Sequence, residues 1–364
     1  MTKFVIRRVF QAIPVLLGIT VVVYAILLSA PGGPTAKFAQ NPRITEAQRL
    51  EIVKAWGLDQ PIPIQYCRWM GLCDKEQGGL ALLRSNGVPN FLPEGLGGGT
   101  NGILHGDFGR SIETGDKVSE RIGKAALPTA ILAGSALILW VTFSILIGTL
   151  SAIKRYTFFD TAATVFSYVG FAMPTFWLGI MLIYAFSGPG LDILPASGMT
   201  TIRSSPAFGS DTYWAYLAAQ PLTALGDLGR HLILPVFTLV LVNIAGDSRF
   251  VRASMIEAIS QDYVRTARAK GLPGRSVIFK HAFRNAMLPF VTNLGLEIPF
   301  LFTGAIVTET IFSWPGIGRL TIDATRDFDY PMLMGVLLVT SMFVVLANLL
   351  ADVAYAVVDP RIKY

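Results

Sequence analysis

A chain of 364 residues that is 52% hydrophobic and 15% charged, with a mean hydropathy of +0.53, lies outside the composition of soluble globular proteins. The formal charge of +6 is not a nucleic-acid signature, because the basic residues fall in short loops between apolar runs. No partner of that class is expected; the composition points to an all-α integral membrane protein.

Apolar runs of about 20 residues are long enough to cross a bilayer. Six are predicted, over 9–30, 125–153, 162–186, 232–245 (extended toward Phe250), 288–307 and 332–358. The first follows Lys3, Arg7 and Arg8 in the manner of a signal peptide, but its length and the spans behind it read as an uncleaved anchor. In the fourth, Asn243 and Asp247 shorten the apolar stretch. Lys154 and Arg155 follow the second run, a cluster of eight basic residues follows the fourth, and Arg361 and Lys363 close the chain. Arg203, Arg230, Arg319 and Arg326 are the only basic residues in the opposite loops, 187–230 and 308–331, so both termini are expected in the cytoplasm.

The organisation expected is therefore a tail and first span over 1–30, an external segment over 31–124, a transmembrane core over 125–358 and a cytoplasmic tail over 359–364. In the external segment, Thr45 with Gln48 three residues on starts a helix whose apolar positions are Leu50, Ile52 and Val53, and Gly57 ends it. Residues 71–104 hold nine glycines and no periodicity, and read as a loop-rich insertion. Cys67 and Cys73 stand on this outer side, where a disulfide is one reading and two free thiols the other. His105, His231 and His281 are scattered, and no metal site is expected.

The polar segment 247–287 carries Arg249, Arg252, Arg265, Arg268, Lys270, Arg275, Lys280 and Arg284 against Asp247, Glu257 and Asp262. Ile256, Ile259, Tyr263 and Ala267 repeat at helical spacing and predict an apolar face. Gly271 permits a turn, and Pro273 is placed to open a second basic helix over about 275–286. Two stiff helices set at an angle can carry force, whereas the plain alternative is a basic loop lying on anionic headgroups. No phosphate-binding loop occurs in the chain, so a pump built on it must draw its energy from another subunit.

This segment resembles the coupling motif of binding-protein-dependent ABC importer permeases. It is closest to the dipeptide/oligopeptide/nickel variant, on Tyr263-Val264-Arg265-Thr266-Ala267-Arg268-Ala269-Lys270-Gly271-Leu272 and His281-Ala282-Phe283-Arg284-Asn285-Ala286. Further matches are Gly57-Leu58-Asp59-Gln60-Pro61, Gly106-Asp107-Phe108-Gly109-Arg110-Ser111, Pro174-Thr175-Phe176-Trp177, Glu309-Thr310-Ile311-Phe312-Ser313-Trp314-Pro315-Gly316 and Asp359-Pro360-Arg361. The resemblance is to first-type permease subunits, and relative to them 71–104 is an insertion.

It implies a type I importer permease fold in a bacterial or archaeal cytoplasmic membrane. Its implied partners are a second, homologous permease, two ATPase subunits that bind ATP and Mg, and an extracytoplasmic substrate-binding protein. The chain itself would be no enzyme and would bind no cofactor. The implied docking surface is Arg265, Ala267, Arg268, Ala269, Lys270, Gly271, Leu272, Lys280, His281 and Arg284. Peptides are the expected substrates, with nickel chelates or oligosaccharides as alternatives.

Charged and polar groups inside spans often mark a path. Glu297, Asn293, Thr303, Asn348 and Asp352 are the candidates, each with a structural hydrogen bond between helices as the alternative. Phe312, Trp314, Pro315 and Gly316 make a candidate external gate, against an ordinary interfacial aromatic belt. An ion-coupled secondary transporter would need a coupling-ion site and internal repeats, and neither is legible.

Overall fold

The computed structural model describes residues 2–29, 33–35, 38, 44–73, 101–188, 191–201 and 205–358. Most of the glycine-rich insertion and the Asp359-Pro360-Arg361 motif lie outside the described residues. Among the described residues the regular structure is helical, with one isolated bridge between Arg110 and Lys117. The principal helices are α1 (Thr2–Ser29), α2 (Glu46–Ala55), α3 (Ile62–Met70), α4 (Val118–Ile153), α5 (Phe158–Ala172), α6 (Thr175–Ser187), α7 (Asp211–Ala219), α8 (Pro221–Ser260), α9 (Asp262–Ala269), α10 (Phe283–Ile311), α11 (Ile317–Arg326) and α12 (Tyr330–Val358).

Among the described residues, four stretches are long and apolar enough to cross a membrane: Ile6–Ser29, Val118–Ile153, Pro221–Ser260 and Tyr330–Val353. A fifth arises if α5 and α6 count as one span, although they are bent by 103°. The sequence pointed to an unbroken run over 162–186, and here it is corrected. Pro174 offers no N–H and holds Met173 in an extended conformation (φ −81°, ψ 123°), so the helix ends and restarts. The expected fifth span, 288–307, lies within the 29-residue α10. The fourth is longer than expected: α8 runs 40 residues, about 60 Å at 1.5 Å per residue, and so exceeds the bilayer's apolar thickness.

The chain divides into two compact units. One comprises 10–128 with 316–343, and the other 1–9, 129–315 and 344–364.

In the first unit, Thr45 caps α2 in a reciprocal box: its hydroxyl accepts from the Gln48 N–H (3.3 Å), and the Gln48 side chain accepts from the Thr45 N–H (2.9 Å). Gly57 (φ +67°) closes the helix, with Gly57 N–H donating to Lys54 and Leu58 N–H to Val53. The buried face is set by Ile52 and Trp56, packed on Phe38 and Ile112, while Leu50 is exposed. Leu50, one of the helix's apolar positions, sits two positions from Ile52 and so points the other way. Cys67 and Cys73 are joined by a disulfide, their Cα atoms 5.4 Å apart.

The Gly-Asp-Phe-Gly-Arg-Ser motif is stapled by the buried Asp329. One carboxylate oxygen accepts from the N–H of Ile112 (3.1 Å) and of Met332 (3.3 Å), and the other from the Ser111 hydroxyl and the Glu113 N–H (3.4 Å). The Met332 bond also caps α12. Asp329→Ala is expected to destabilise this unit by about 3 kcal/mol, since several buried donors lose their acceptor at once. A thermal unfolding midpoint unchanged from the parent, measured on the purified protein, would refute the staple.

In the second unit, Leu132, Ala133, Ala136 and Trp140 of α4 pack on Val236, Leu239, Val240 and Ile244 of α8 and on Trp314. Helices α4 and α8 approach each other closely at Gly148, where an added Cβ would stand 2.5 Å from the Ser248 carbonyl oxygen. Small residues at such crossings let helices associate through backbone packing.

Candidate functional site

The basic segment forms a helix, a turn and a helix. α8 ends at Ser260, and Gln261 is extended (ψ 153°) before α9 begins. This one-residue break resets the helical register. The buried face is accordingly Val251, Met255 and Ala258 on α8 and Val264 and Ala267 on α9. Of the expected face, only Ala267 lies inside; Ile256 and Ile259 are partly buried, and Tyr263 is exposed. The periodicity was drawn across a break that the sequence does not announce.

Gly271 (φ +74°) then turns the chain. Its N–H donates to Arg268 (2.9 Å), and the Leu272 N–H donates to Ala267 (3.4 Å). Pro273 caps the following turn, whose Val277–Ala282 stretch is a π-helix. Five residues of α-helix would place Val277 and Ala282 about 140° apart. The wider π-turn brings both inward, against Ala152, Ala286, Met287 and Phe290.

Above this core stands an exposed rim of Arg265, Arg268, Ala269, Lys270, Gly271, Leu272, Lys280 and Arg284, with His281 partly covered. Ala267 belongs to the core beneath it. Phe279, 52% exposed, and Tyr263 add aromatic surface that the sequence reading did not assign to the rim.

Polar pairs sit deeper in the same unit. Arg252 grips Asp160 through two bonds, of 2.6 and 2.7 Å, and Asp160 also accepts from the Tyr156 N–H (3.0 Å). This ties the α4–α5 turn to α8. Asn293 donates to Glu297 (2.7 Å) and lies 3.4 Å from Asp247. Asp352 pairs with Arg8 at 3.1 Å, Asn348 is exposed, and the side chain of Thr303 lies outside the described residues. Asn293 and Glu297 meet directly, and Asp352 pairs with Arg8; between them α10 lies against α12, where an added Cβ on Gly295 would stand 2.8 Å from the Ala351 Cβ.

The outer aromatic run is a tight turn at Ser313 (φ +49°) after α10. Phe312 and Trp314 are almost wholly buried; Phe312 packs over Gly179 of α6, and its carbonyl accepts from the Gly198 N–H (2.9 Å). Pro315 is exposed and Gly316 buried. Both rings are inside the protein, so the run is not an interfacial belt.

The family described as "Binding-protein-dependent transport system inner membrane component" matches residues 144–364, and its N-terminal companion matches 1–77. The chain belongs to this family. It is similar over its full length to the oligopeptide transport system permease AppB of Bacillus subtilis (strain 168), at 37% identity over 366 residues and 100% of both chains. It is also similar to the dipeptide transport system permease DppB of Escherichia coli (strain K12), at 35% over 378 residues, covering 100% of this chain and 99% of the relative. The di/tripeptide permease DppB of Pseudomonas aeruginosa (strain UCBPP-PA14) matches at 33% over 366 residues, again with 100% and 99% coverage. The chain is thus the membrane permease component of an importer and not its ATPase.

Three features of this permease escaped the sequence reading. Glu309, read as part of an outer loop, is completely buried on α10 and accepts from the Thr129 hydroxyl at 2.7 Å. Asp247 was read as an interruption of an apolar run and as an acid of the basic segment, although an acid in such a run is itself a signal of a path. The Asp160–Arg252 pair, 92 positions apart, has no local signature.

Proposed function

We propose that this chain is one of two permease subunits of an ATP-driven, binding-protein-dependent importer of di- and oligopeptides in a prokaryotic cytoplasmic membrane. The reading rests most on one observation: an exposed basic rim around Gly271 set rigidly on an apolar core shared by α4, α8, α9 and α10. Such a knuckle suits a motor that pushes from outside the bilayer. Two ATPase subunits that bind ATP and Mg would dock on Arg265, Arg268, Ala269, Lys270, Leu272, Lys280, His281 and Arg284. A second homologous permease would complete the passage, and an external binding protein would deliver cargo. Closure of the ATPases on ATP would move the knuckle, and the spans would switch between inward and outward access.

The reading includes the type I fold with six spans, both termini inside and 31–124 outside, a side with which the Cys67–Cys73 bridge accords. The domain scheme is a first span over 1–30, the external segment, a core over 125–358 and a tail over 359–364. The Phe312–Trp314 turn would form an external gate, and Asn293 and Glu297 part of the path. Peptide as cargo is supported by the relatives' names, which specify oligopeptide, dipeptide and di/tripeptide transport.

The test is uptake of a labelled dipeptide into proteoliposomes holding the complete assembly with its binding protein. Accumulation is expected only with ATP inside the ATPase-facing compartment. Accumulation by this chain without ATPases would overturn the reading in favour of ion coupling. Accumulation of a nickel chelate or an oligosaccharide in place of peptide would overturn the choice of cargo.

A further inference from the structure

Helices α8 and α10 bring two carboxylates together. We infer that Asp247, Asn293 and Glu297, backed by Trp140, form a site for the ammonium group at the amino end of the transported peptide. The inference rests on the peptide reading above and assigns part of the cargo to named atoms.

Asp247 is 3% exposed, and its Oδ2 accepts no hydrogen bond. Its other oxygen shares the Asn293 amide, 3.4 Å away, with Glu297, 2.7 Å away. One neutral amide therefore serves two acids. The side chains facing Asp247 are Asn293 and Glu297 from α10 and Trp140 from α4. Among the described residues no lysine, arginine or histidine pairs with either carboxylate. Uncompensated negative charge in apolar surroundings is costly, and a positive charge completes the cluster.

The chemistry of that positive charge follows from the unused atoms. The Asn293 carbonyl oxygen, the second oxygen of Glu297 and Asp247 Oδ2 accept from no described residue. A primary ammonium has three N–H donors for those three acceptors. A divalent metal is a poor fit, because two carboxylates and an amide fall short of the oxygen ligands that calcium or magnesium requires, and no group of three metal-binding side chains occurs among the described residues. The Trp140 indole N–H, buried and without an acceptor, is a further polar group beside Asp247. Asn293 and Glu297 are partly exposed whereas Asp247 is not, so a cation arrives along α10 and meets Asp247 last.

The experiment compares import of a dipeptide with import of its N-acetylated form by the complete reconstituted complex, each at a concentration that saturates the binding protein. The near-isosteric variants Glu297→Gln and Asp247→Asn are measured beside the parent. Retained ATP hydrolysis shows that each variant is folded and assembled. The parent is expected to import the free amine about tenfold faster or more, and each variant to bring that ratio toward one by slowing the free amine. An unchanged ratio in both variants overturns the site while leaving the peptide reading intact. The same holds if the variants alter only the pH profile of import, since the pair would then hold a proton and no cargo. A complex that imports neither form overturns the peptide reading and the site together.

Discussion

Gly271→Pro is expected to abolish ATP-driven import and the coupling of ATP hydrolysis to cargo, with the protein still inserted in the membrane. Two features of the turn oppose proline. Gly271 holds φ at +74°, and a pyrrolidine ring fixes φ near −65°. Its N–H donates to the Arg268 carbonyl at 2.9 Å, and proline has no N–H to give. The turn must open, and the rim from Arg265 to Leu272 changes direction. Gly271→Ala separates backbone geometry from crowding, because nothing lies within 4 Å of the added methyl group. Alanine there should cost about 1–2 kcal/mol in local conformation and leave partial import. ATP hydrolysis and uptake by the reconstituted complex, with membrane fractionation as the control, read the outcome. Full coupling in the proline variant would remove the basis for placing the motor at this turn.

Arg252→Ala is expected to be among the most destabilising single substitutions in the chain, at about 3–5 kcal/mol. The Asp160 side chain is 5% exposed, and Arg252 grips it through a bidentate ion pair. Removing the arginine strands a carboxylate, a larger penalty than the net value of the pair. Asp160→Asn should cost less, because the amide oxygen can still accept from Arg252. The measurement is the thermal midpoint of detergent-solubilised protein for both variants. An Arg252→Ala midpoint equal to that of Asp160→Asn would show that the stranded charge is tolerated, by water or by a proton.

The fold was legible wherever a short-range rule controls it. Thr45 and Gln48 announce a cap because the box closes within four residues, and Gly57 and Gly271 announce turns because other side chains resist that backbone region. The apolar runs announced helices by length alone. The reading failed where geometry turns on one residue between helices: Gln261 breaks α8 from α9 with no proline or glycine to mark it, so of the expected face only Ala267 is buried. At Pro174 the mark was present, but the apolar run on either side concealed a bend of 103°. The interior pairings were not legible, because Asp160 with Arg252 and Thr129 with Glu309 depend on contacts across 92 and 180 positions. Glu297 with Asn293, four residues apart on one helix, could have been read from spacing.

The bed under the knuckle has a further property. Five of its members are alanines, Ala152, Ala258, Ala267, Ala282 and Ala286, drawn from four α-helices and the π-helix. Alanine has no rotamer to change and no flexible stem to bend, so these five positions offer little local rearrangement to absorb a displacement. Under the proposed docking, a push on the rim would reach α8 and α10 with little lost to side-chain give at these alanines.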